Sequence, residues 1–63
     1  MKKFTFDTID GEVKAIERYD IDSCSTYFDC YLDRYGKDIY IGESHSETEE
    51  DIESDVEDLL FNL

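Results

Sequence analysis

Residues 26–33 read TYFDCYLD, and apolar and polar side chains alternate along this stretch. A period of two is typical of a β-strand that has one face in the core and the other toward solvent. Thr26, Phe28, Cys30 and Leu32 form one set of alternate side chains, and of these we expect Phe28, Cys30 and Leu32 to face the core. The side chains that we expect to face outward are Tyr27, Asp29, Tyr31 and Asp33. This stretch therefore predicts a strand with one open face of tyrosines and aspartates.

The residues that follow predict a hairpin with this strand. Residues 34–37, RYGK, are typical of a turn, because glycine tolerates the backbone angles that tight turns need. Residues 38–42, DIYIG, alternate again and predict a last strand, with Ile39 and Ile41 toward the core and Tyr40 outward.

The beginning of the chain predicts another hairpin. Residues 3–9 and 12–21 both alternate, and Asp10 and Gly11 between them form the dipeptide most typical of a two-residue hairpin turn. A helix over residues 12–20 is the alternative, because apolar residues also recur there at helical spacing.

A turn at residues 10–11 also predicts the register of this hairpin. It places Phe6 opposite Ala15 and Asp7 opposite Lys14. The apolar side chains of both strands then share one face, and the charges of Asp7 and Lys14 attract each other across the strands.

The C-terminal part of the chain predicts a helix over residues 46–61. Ser46, with Glu49 three residues later, is typical of a capping box at a helix N-terminus. The apolar residues that recur at helical spacing are Ile52, Val56, Leu59, Leu60 and Leu63.

These elements predict one α+β domain over residues 1–63. We expect a small four-stranded antiparallel sheet, made of two hairpins, that packs one face against the C-terminal helix. The expected core residues of the sheet are Phe4, Phe6, Val13, Ala15, Tyr19, Phe28, Cys30, Leu32, Ile39 and Ile41. The five apolar helix residues complete this core.

The two cysteines predict no disulfide bond. Cys24 and Cys30 are six residues apart, which is roughly 20 Å in an extended strand and too far for a bridge. We expect both thiols to be reduced and buried.

The first four residues, MKKF, lack the apolar run of a signal peptide, and no stretch approaches the ~20 apolar residues of a membrane span, so we expect a cytoplasmic protein.

The charge of the chain is concentrated in its second half. The chain has 18 acidic and 6 basic residues, which give a formal net charge of −12. Residues 1–37 contain eight acids and all six bases, whereas residues 38–63 contain ten acids and no Lys or Arg. Surfaces of one sign repel themselves, so this segment predicts a basic partner protein. The same charge argues against direct binding to nucleic acid or to an anionic membrane.

The residues do not predict an enzyme. His45 lies beside Ser44 and Ser46, and adjacent residues do not form a catalytic triad. Residues 20–25, DIDSCS, begin like a calcium loop but have Ser25 where an EF-hand needs glycine. The cysteines and the histidine lack zinc-ligand spacing. We therefore expect no metal site and no cofactor.

The acids of the predicted helix form a first candidate surface. Nine carboxylates lie between residues 43 and 58. If this segment is mostly helical, it carries one negative charge per ~2.7 Å, against one per ~1.7 Å along duplex DNA. A solvated helix face is the alternative, but such a face usually has Lys or Arg four residues after Glu, and this one has none. The residues that we expect to contact a partner here are Glu43, Glu47, Glu50, Asp51, Glu53, Asp55, Glu57 and Asp58.

The open face of the predicted sheet is a second candidate surface. Its expected partner-binding residues are Tyr27, Asp29, Tyr31, Asp33 and Tyr40. Tyrosine is enriched at the energetic centres of interfaces and stacks on arginine, with which neighbouring carboxylates can pair. The β-propensity of tyrosine is the alternative explanation.

In size, charge and charge distribution the chain resembles small phage-encoded DNA-mimic inhibitors, such as anti-CRISPR, anti-restriction and DNA-glycosylase-inhibitor proteins. The resemblance implies an acidic cytoplasmic inhibitor, in a bacterial host cell, that occupies the basic nucleic-acid-binding groove of a target protein. In that mechanism the carboxylates of residues 43–58 take the places of phosphates, and Tyr27, Tyr31 and Tyr40 supply apolar anchoring.

Other protein-binding functions fit the same sequence. An immunity or antitoxin protein would neutralise a nuclease toxin through the same electrostatics, and a phage regulator or adaptor would bind a host protein. A structural accessory protein would need no basic partner. Homodimerisation through an edge strand is a further alternative, because nothing in the sequence obviously guards both edges of the sheet.

Overall fold

The chain folds into four antiparallel strands followed by one helix. The computed structural model describes residues 2–63. The elements are β1 (Lys3–Thr8), β2 (Gly11–Asp20), β3 (Ser25–Arg34), β4 (Lys37–Ser44) and α1 (Glu49–Phe61). The strands lie side by side in chain order in one sheet. The predicted α+β class and both hairpins are confirmed, and the alternative helix over residues 12–20 is wrong because this segment is β2.

One apolar layer between the sheet and α1 forms the core. The buried apolar residues are Phe6, Val13, Ala15, Phe28, Cys30, Leu32, Ile52 and Val56. The partly buried residues that pack against them are Phe4, Ile41, Leu59 and Leu60. Three predicted core residues are wrong, because Tyr19 is 59%, Ile39 42% and Leu63 68% exposed.

The diagonal course of α1 across the sheet explains these exposed residues. The helix starts beyond the end of β4, and its last turn lies beside Ile9 at the tip of the β1–β2 hairpin. A diagonal helix leaves two opposite corners of the sheet uncovered. Ile39 lies at one of them, near the start of β4, and Tyr19 lies at the other, near the end of β2. Leu63 lies beyond the last helical residue.

The β1–β2 turn differs from the prediction by one residue. Thr8 pairs with Gly11, so Ile9 and Asp10 form the turn and Gly11 begins β2. The hydroxyl of Thr8 stabilises this arrangement, since it accepts a hydrogen bond from the Asp10 N–H at 3.2 Å and donates one to the Gly11 carbonyl at 2.7 Å. Two local hydrogen bonds of one side chain therefore stabilise a turn at residues 9–10 instead of 10–11.

This turn changes which residues of β1 and β2 lie opposite each other, but each side chain stays on its predicted face of the sheet. Every residue of β1 pairs two positions earlier in β2 than predicted, and a shift of two preserves the alternation. The predicted pair of Asp7 and Lys14 is therefore wrong, because Asp7 lies opposite Glu12. Lys14 instead forms an ion pair with Asp38 of β4, with 3.3 Å between Nζ and Oδ1.

A β-bulge in β4 determines where α1 can approach. Tyr31 pairs with Tyr40 and Cys30 pairs with Gly42, which leaves Ile41 as the extra residue. The bulge resets the alternation, so that Gly42 lies under the helix. A Cβ atom on Gly42 would lie 2.5 Å from Cδ2 of Leu59. Beyond the bulge, Glu43 and Ser44 pair with β3, so β4 ends two residues later than predicted.

The helix begins later than predicted. Thr48 is the N-cap residue, and its hydroxyl accepts a hydrogen bond from the Asp51 N–H at 3.3 Å. The predicted cap at Ser46 is wrong, because the Ser46 hydroxyl donates instead to Oδ2 of Asp55 at 2.7 Å. Ser46, between the end of β4 and the start of α1, therefore anchors the helix from outside it.

The two cysteines occupy different environments. Both thiols are free, Cys30 is buried in the core, and Cys24 is exposed in the β2–β3 turn, where the prediction of burial is wrong. Burial, together with the smaller effects of the Asp29 and Asp55 carboxylates, raises the pKa of the Cys30 thiol to about 11. The Cys30 thiol is therefore protonated at neutral pH and acts as a small apolar side chain.

Replacement of Gly42 tests the contact between β4 and α1. We expect Gly42→Ala to lower the free energy of unfolding by about 1–3 kcal/mol, because the new methyl group would push against Leu59 and the backbone has a φ of +140°. Gly36→Ala is the matched control, since Gly36 has a φ of +75° but a methyl group there would meet no atom within 4 Å. Backbone strain alone should cost about 1 kcal/mol there. Urea denaturation followed by circular dichroism measures both, and equal losses would contradict the contact.

Candidate protein-binding surfaces

The sheet face that α1 does not cover, here called the open face, carries a row of four carboxylates. Asp7, Glu12, Asp33 and Asp38 lie directly opposite one another, one in each strand. Neighbouring strands are about 4.8 Å apart, and like charges directly opposite each other destabilise a sheet. We call these four residues the acidic row. Only Asp33 was predicted as a site residue, because the row depends on three strand registers that the sequence does not specify.

Two aromatic pairs also lie on the open face, one next to the acidic row and one toward the other end of β3. The rings of Tyr31 and Tyr40 meet edge to face with 5.6 Å between their centroids. Tyr27 stacks on His45 at 5.7 Å, and Nε2 of His45 lies 3.1 Å from a carboxylate oxygen of Glu43. The structure therefore brings all three predicted tyrosines to one face, in two pairs.

Basic side chains also reach the open face, which sequence reasoning missed. Nε of Arg18 lies 3.3 Å from Oδ2 of Asp29, so this predicted binding carboxylate already has a cationic partner. Together with the pair of Lys14 and Asp38, this makes the open face a surface of mixed sign. Both bases lie in β2, where the strand alternation placed them on the same side as the tyrosines.

Two tyrosines of the open face have raised pKa values despite these bases. The pKa of Tyr27 is raised above its ordinary value, first by partial burial and then by nearby carboxylates, of which Asp29 has the largest effect. Arg18 lowers the pKa of Tyr27, but by less than burial and the carboxylates raise it. The pKa of Tyr40 is raised in the same way, by burial and then by Glu43. Both phenols therefore stay neutral at physiological pH and keep their O–H groups as hydrogen-bond donors.

The exposed side of α1 carries charges of one sign. Here the acidic helix face means Glu47, Glu49, Glu50, Asp51, Glu53, Glu57 and Asp58, all of which are exposed. The last turn of the helix contains no basic residue. Lys14, Arg18 and Arg34 form ion pairs with Asp38, Asp29 and Asp10, and these three acids lie outside the helix.

Two residues predicted for the helix face lie elsewhere. Asp55 is half-buried, and its Oδ2 accepts hydrogen bonds from the hydroxyls of Ser44 and Ser46, both at 2.7 Å. Its carboxylate therefore ties α1 to the end of β4. Glu43 is part of β4 and lies opposite Asp29, so it belongs to the open face.

The two candidate surfaces lie on opposite sides of the protein. α1 packs on one face of the sheet, and the tyrosines and the acidic row lie on the other. The molecule measures 34 × 21 × 20 Å. A flat partner surface can therefore contact the acidic helix face or the open face, whereas a groove that encloses the protein can contact both.

The chain matches no protein-family model, no curated protein and no solved structure. Its function therefore has to be inferred from its own surfaces. In the part of the chain that the structure describes, no group of three or more His, Cys, Asp or Glu side chains is placed to hold a metal ion. The helix found within residues 2–63 is too short and too polar to cross a membrane.

Charge reversal at the two ends of α1 tests whether the acidic residues there stabilise or destabilise the helix. We expect Asp58→Lys to raise the free energy of unfolding by about 0.5–1 kcal/mol, because a cation suits the C-terminal end of the helix dipole. Glu50→Lys is the matched control in the first turn, where the same change of charge should be destabilising. Thermal unfolding at low ionic strength measures both variants. Equal shifts would show that overall charge, and not position in the helix, determines the effect.

Proposed function

We propose that this protein is an inhibitor that occupies the basic nucleic-acid-binding groove of another protein by imitating DNA. The observation that carries the proposal is the acidic helix face, where seven exposed carboxylates lie in a segment without Lys or Arg. A CRISPR effector, a restriction enzyme or a DNA-repair enzyme is the proposed class of target, in the cytoplasm of a bacterial host cell. No catalytic step by the protein itself is part of the proposal.

The spacing of the helical carboxylates supports this proposal. Six of the seven lie between Glu49 and Asp58, which is about 14 Å along a helix axis. That gives one negative charge per ~2.3 Å, close to the ~1.7 Å of duplex DNA. A site that neutralises phosphates with Lys and Arg would therefore meet a comparable density of negative charge.

The position of the acidic row supports the same proposal from the other side of the protein. The acidic helix face and the acidic row lie on opposite sides of a body with a cross-section of 21 × 20 Å. Duplex DNA also presents its charges from two strands around one axis. A groove that encloses nucleic acid could therefore contact carboxylates on both sides of this protein.

The tyrosines of the open face supply the apolar part of the proposed contact. Tyr40 is half exposed and packs against Tyr31, so the pair is held in place before binding. Arginine side chains of a nucleic-acid-binding groove can stack on such rings while neighbouring carboxylates pair with them. The net charge of −12 would make association fast and sensitive to salt.

Affinity capture with a defined competitor tests the proposed mimicry. The tagged protein is incubated with a bacterial lysate at low salt, and bound proteins are eluted with a duplex oligonucleotide and, separately, with a salt gradient. We expect one nucleic-acid-binding protein to be displaced by the oligonucleotide. The double variant Glu50→Gln/Asp58→Asn should bind that protein about tenfold more weakly, with a shallower dependence on salt.

The control for this experiment is Asp22→Asn, since Asp22 is an exposed acid in the β2–β3 turn, outside both surfaces. Its affinity should equal that of the unmodified protein. Full affinity of the helix variant, or failure of the oligonucleotide to displace the captured protein, would exclude DNA mimicry by the acidic helix face.

Replacement of a tyrosine tests the contribution of the open face. We expect Tyr31→Ala to weaken binding to the captured protein by more than about 1 kcal/mol, because it removes one ring of the Tyr31–Tyr40 pair. Tyr35→Ala is the matched control, since Tyr35 is exposed in the β3–β4 turn and lies outside this pair. Titration calorimetry measures both affinities, and circular dichroism checks the fold. Equal affinity of the two variants would remove the open face from the proposed interface.

A further inference from the structure

An apolar groove lies at one end of the protein, between the β1–β2 turn and the C-terminal half of α1. Its volume is about 400 Å³, and its apolar walls are formed by Ile9, Val56, Leu60 and Phe61. This volume falls within the range of ~300–1,000 Å³ that is typical of ligand pockets. The groove is separate from the tyrosines of the open face.

Two of these apolar side chains are exposed where the fold does not require them. Ile9 is fully exposed in a hairpin turn, a position that usually carries a polar residue or glycine. Phe61 is 89% exposed at the last helical residue. Single exposed apolar residues are common, but these two line one groove together with Leu60. A contiguous exposed apolar patch of this kind marks an interaction site.

Carboxylates surround the groove on both sides. Asp7 and Asp10 come from the hairpin, and Glu53 and Glu57 come from the helix. All four are exposed, and Arg34 approaches Asp10 only to 3.9 Å. An apolar centre with a charged rim is the usual arrangement of a protein-binding site.

We propose that this groove binds a basic amphipathic segment of a partner protein. One or two apolar side chains of that segment would enter between Ile9 and Phe61, and its Lys or Arg residues would pair with the four rim carboxylates. Charge complementarity is the reason for this choice of occupant. A helix that lays one apolar face into a groove is a common mode of peptide recognition.

The same rim argues against a second copy of the chain as the occupant. Another copy would bring its own net charge of −12 against four carboxylates, and like charges repel. The inference shares Glu53 and Glu57 with the acidic helix face and Asp7 with the acidic row, but it does not rest on the proposed DNA mimicry, because it requires no nucleic-acid-binding partner.

A titration of the isotope-labelled full chain, followed by NMR, tests the groove. The probe is a synthetic amphipathic peptide of about 18 Leu and Lys residues, five turns of helix. The control peptide has the same residues in an order without an apolar face. We expect the amphipathic peptide to shift the amide signals of residues 7–10 and 56–61, and we expect the control peptide to bind about tenfold more weakly.

Matched variants separate the groove from general attraction of charges. Ile9→Thr and Phe61→Ala should each weaken binding of the amphipathic peptide about fivefold to tenfold, whereas Ile21→Thr, at an exposed isoleucine of the opposite turn, should leave it unchanged. Glu50→Gln/Asp58→Asn should also leave it nearly unchanged, so failure of the groove and failure of the proposed mimicry can be told apart. Because Ile9 and Phe61 are exposed, their replacement should not unfold the protein.

Several results would overturn the proposal. Equal binding of the two peptides, or an equal effect of Ile21→Thr, would show that only overall charge attracts the peptide. Signals that shift along the open face instead of the groove would place the binding elsewhere, and no shift at all would exclude it. Sedimentation that shows a dimer, abolished by Ile9→Thr, would make the groove an interface between copies of this chain. If a variant fails to fold, the comparison of the two peptides on the unmodified protein and the positions of the shifted signals still test the groove.

Discussion

The close approach of α1 to β4 at Gly42 is the constraint on which the rest of the structure depends. The helix can lie this close to β4 only because Gly42 has no side chain to collide with Leu59 of α1. The bulge at Ile41 turns Gly42 toward the helix, and the carboxylate of Asp55, one turn before Leu59, accepts a hydrogen bond from the hydroxyl of Ser44. Both contacts are made with β4, so they set where the helix passes over this strand.

The position of α1 also separates the charges of the protein. Ile52 and Val56 are fully buried, so the acids on the opposite side of the helix face solvent, whereas Asp55 is half-buried against Ser44 and Ser46. The bases that form ion pairs lie in β2 and at the end of β3, where they contact acids of the sheet and of its turns. The result is an open face of mixed sign and a helix face of one sign. Burial of the apolar stripe, and not attraction between charges, therefore maintains a helix whose own charges repel.

The diagonal course of the helix links the acidic helix face to the apolar groove. Its C-terminal half ends beside the β1–β2 turn, where Leu60 and Phe61 meet Ile9. Glu53 and Glu57 belong to both the acidic helix face and the rim of the groove. A single basic partner could therefore contact charges along the helix and place an apolar side chain in the groove at its end. Long-range attraction would speed its approach, and the apolar contact would slow its release.

The sequence by itself determined the elements and their apolar faces, because alternation along residues 26–33 and the helical stripe from Ile52 are local patterns. It also located the segment without bases, and it placed Tyr27, Tyr31 and Tyr40 on one face. Only the tertiary structure decided the course of α1, which exposed Tyr19 and Ile39. Only the tertiary structure decided the acidic row and the apolar groove as well, because each brings together residues from distant parts of the chain. Strand register, a bulge and a helix crossing depend on how whole elements fit together, and a local pattern of side chains does not contain that information.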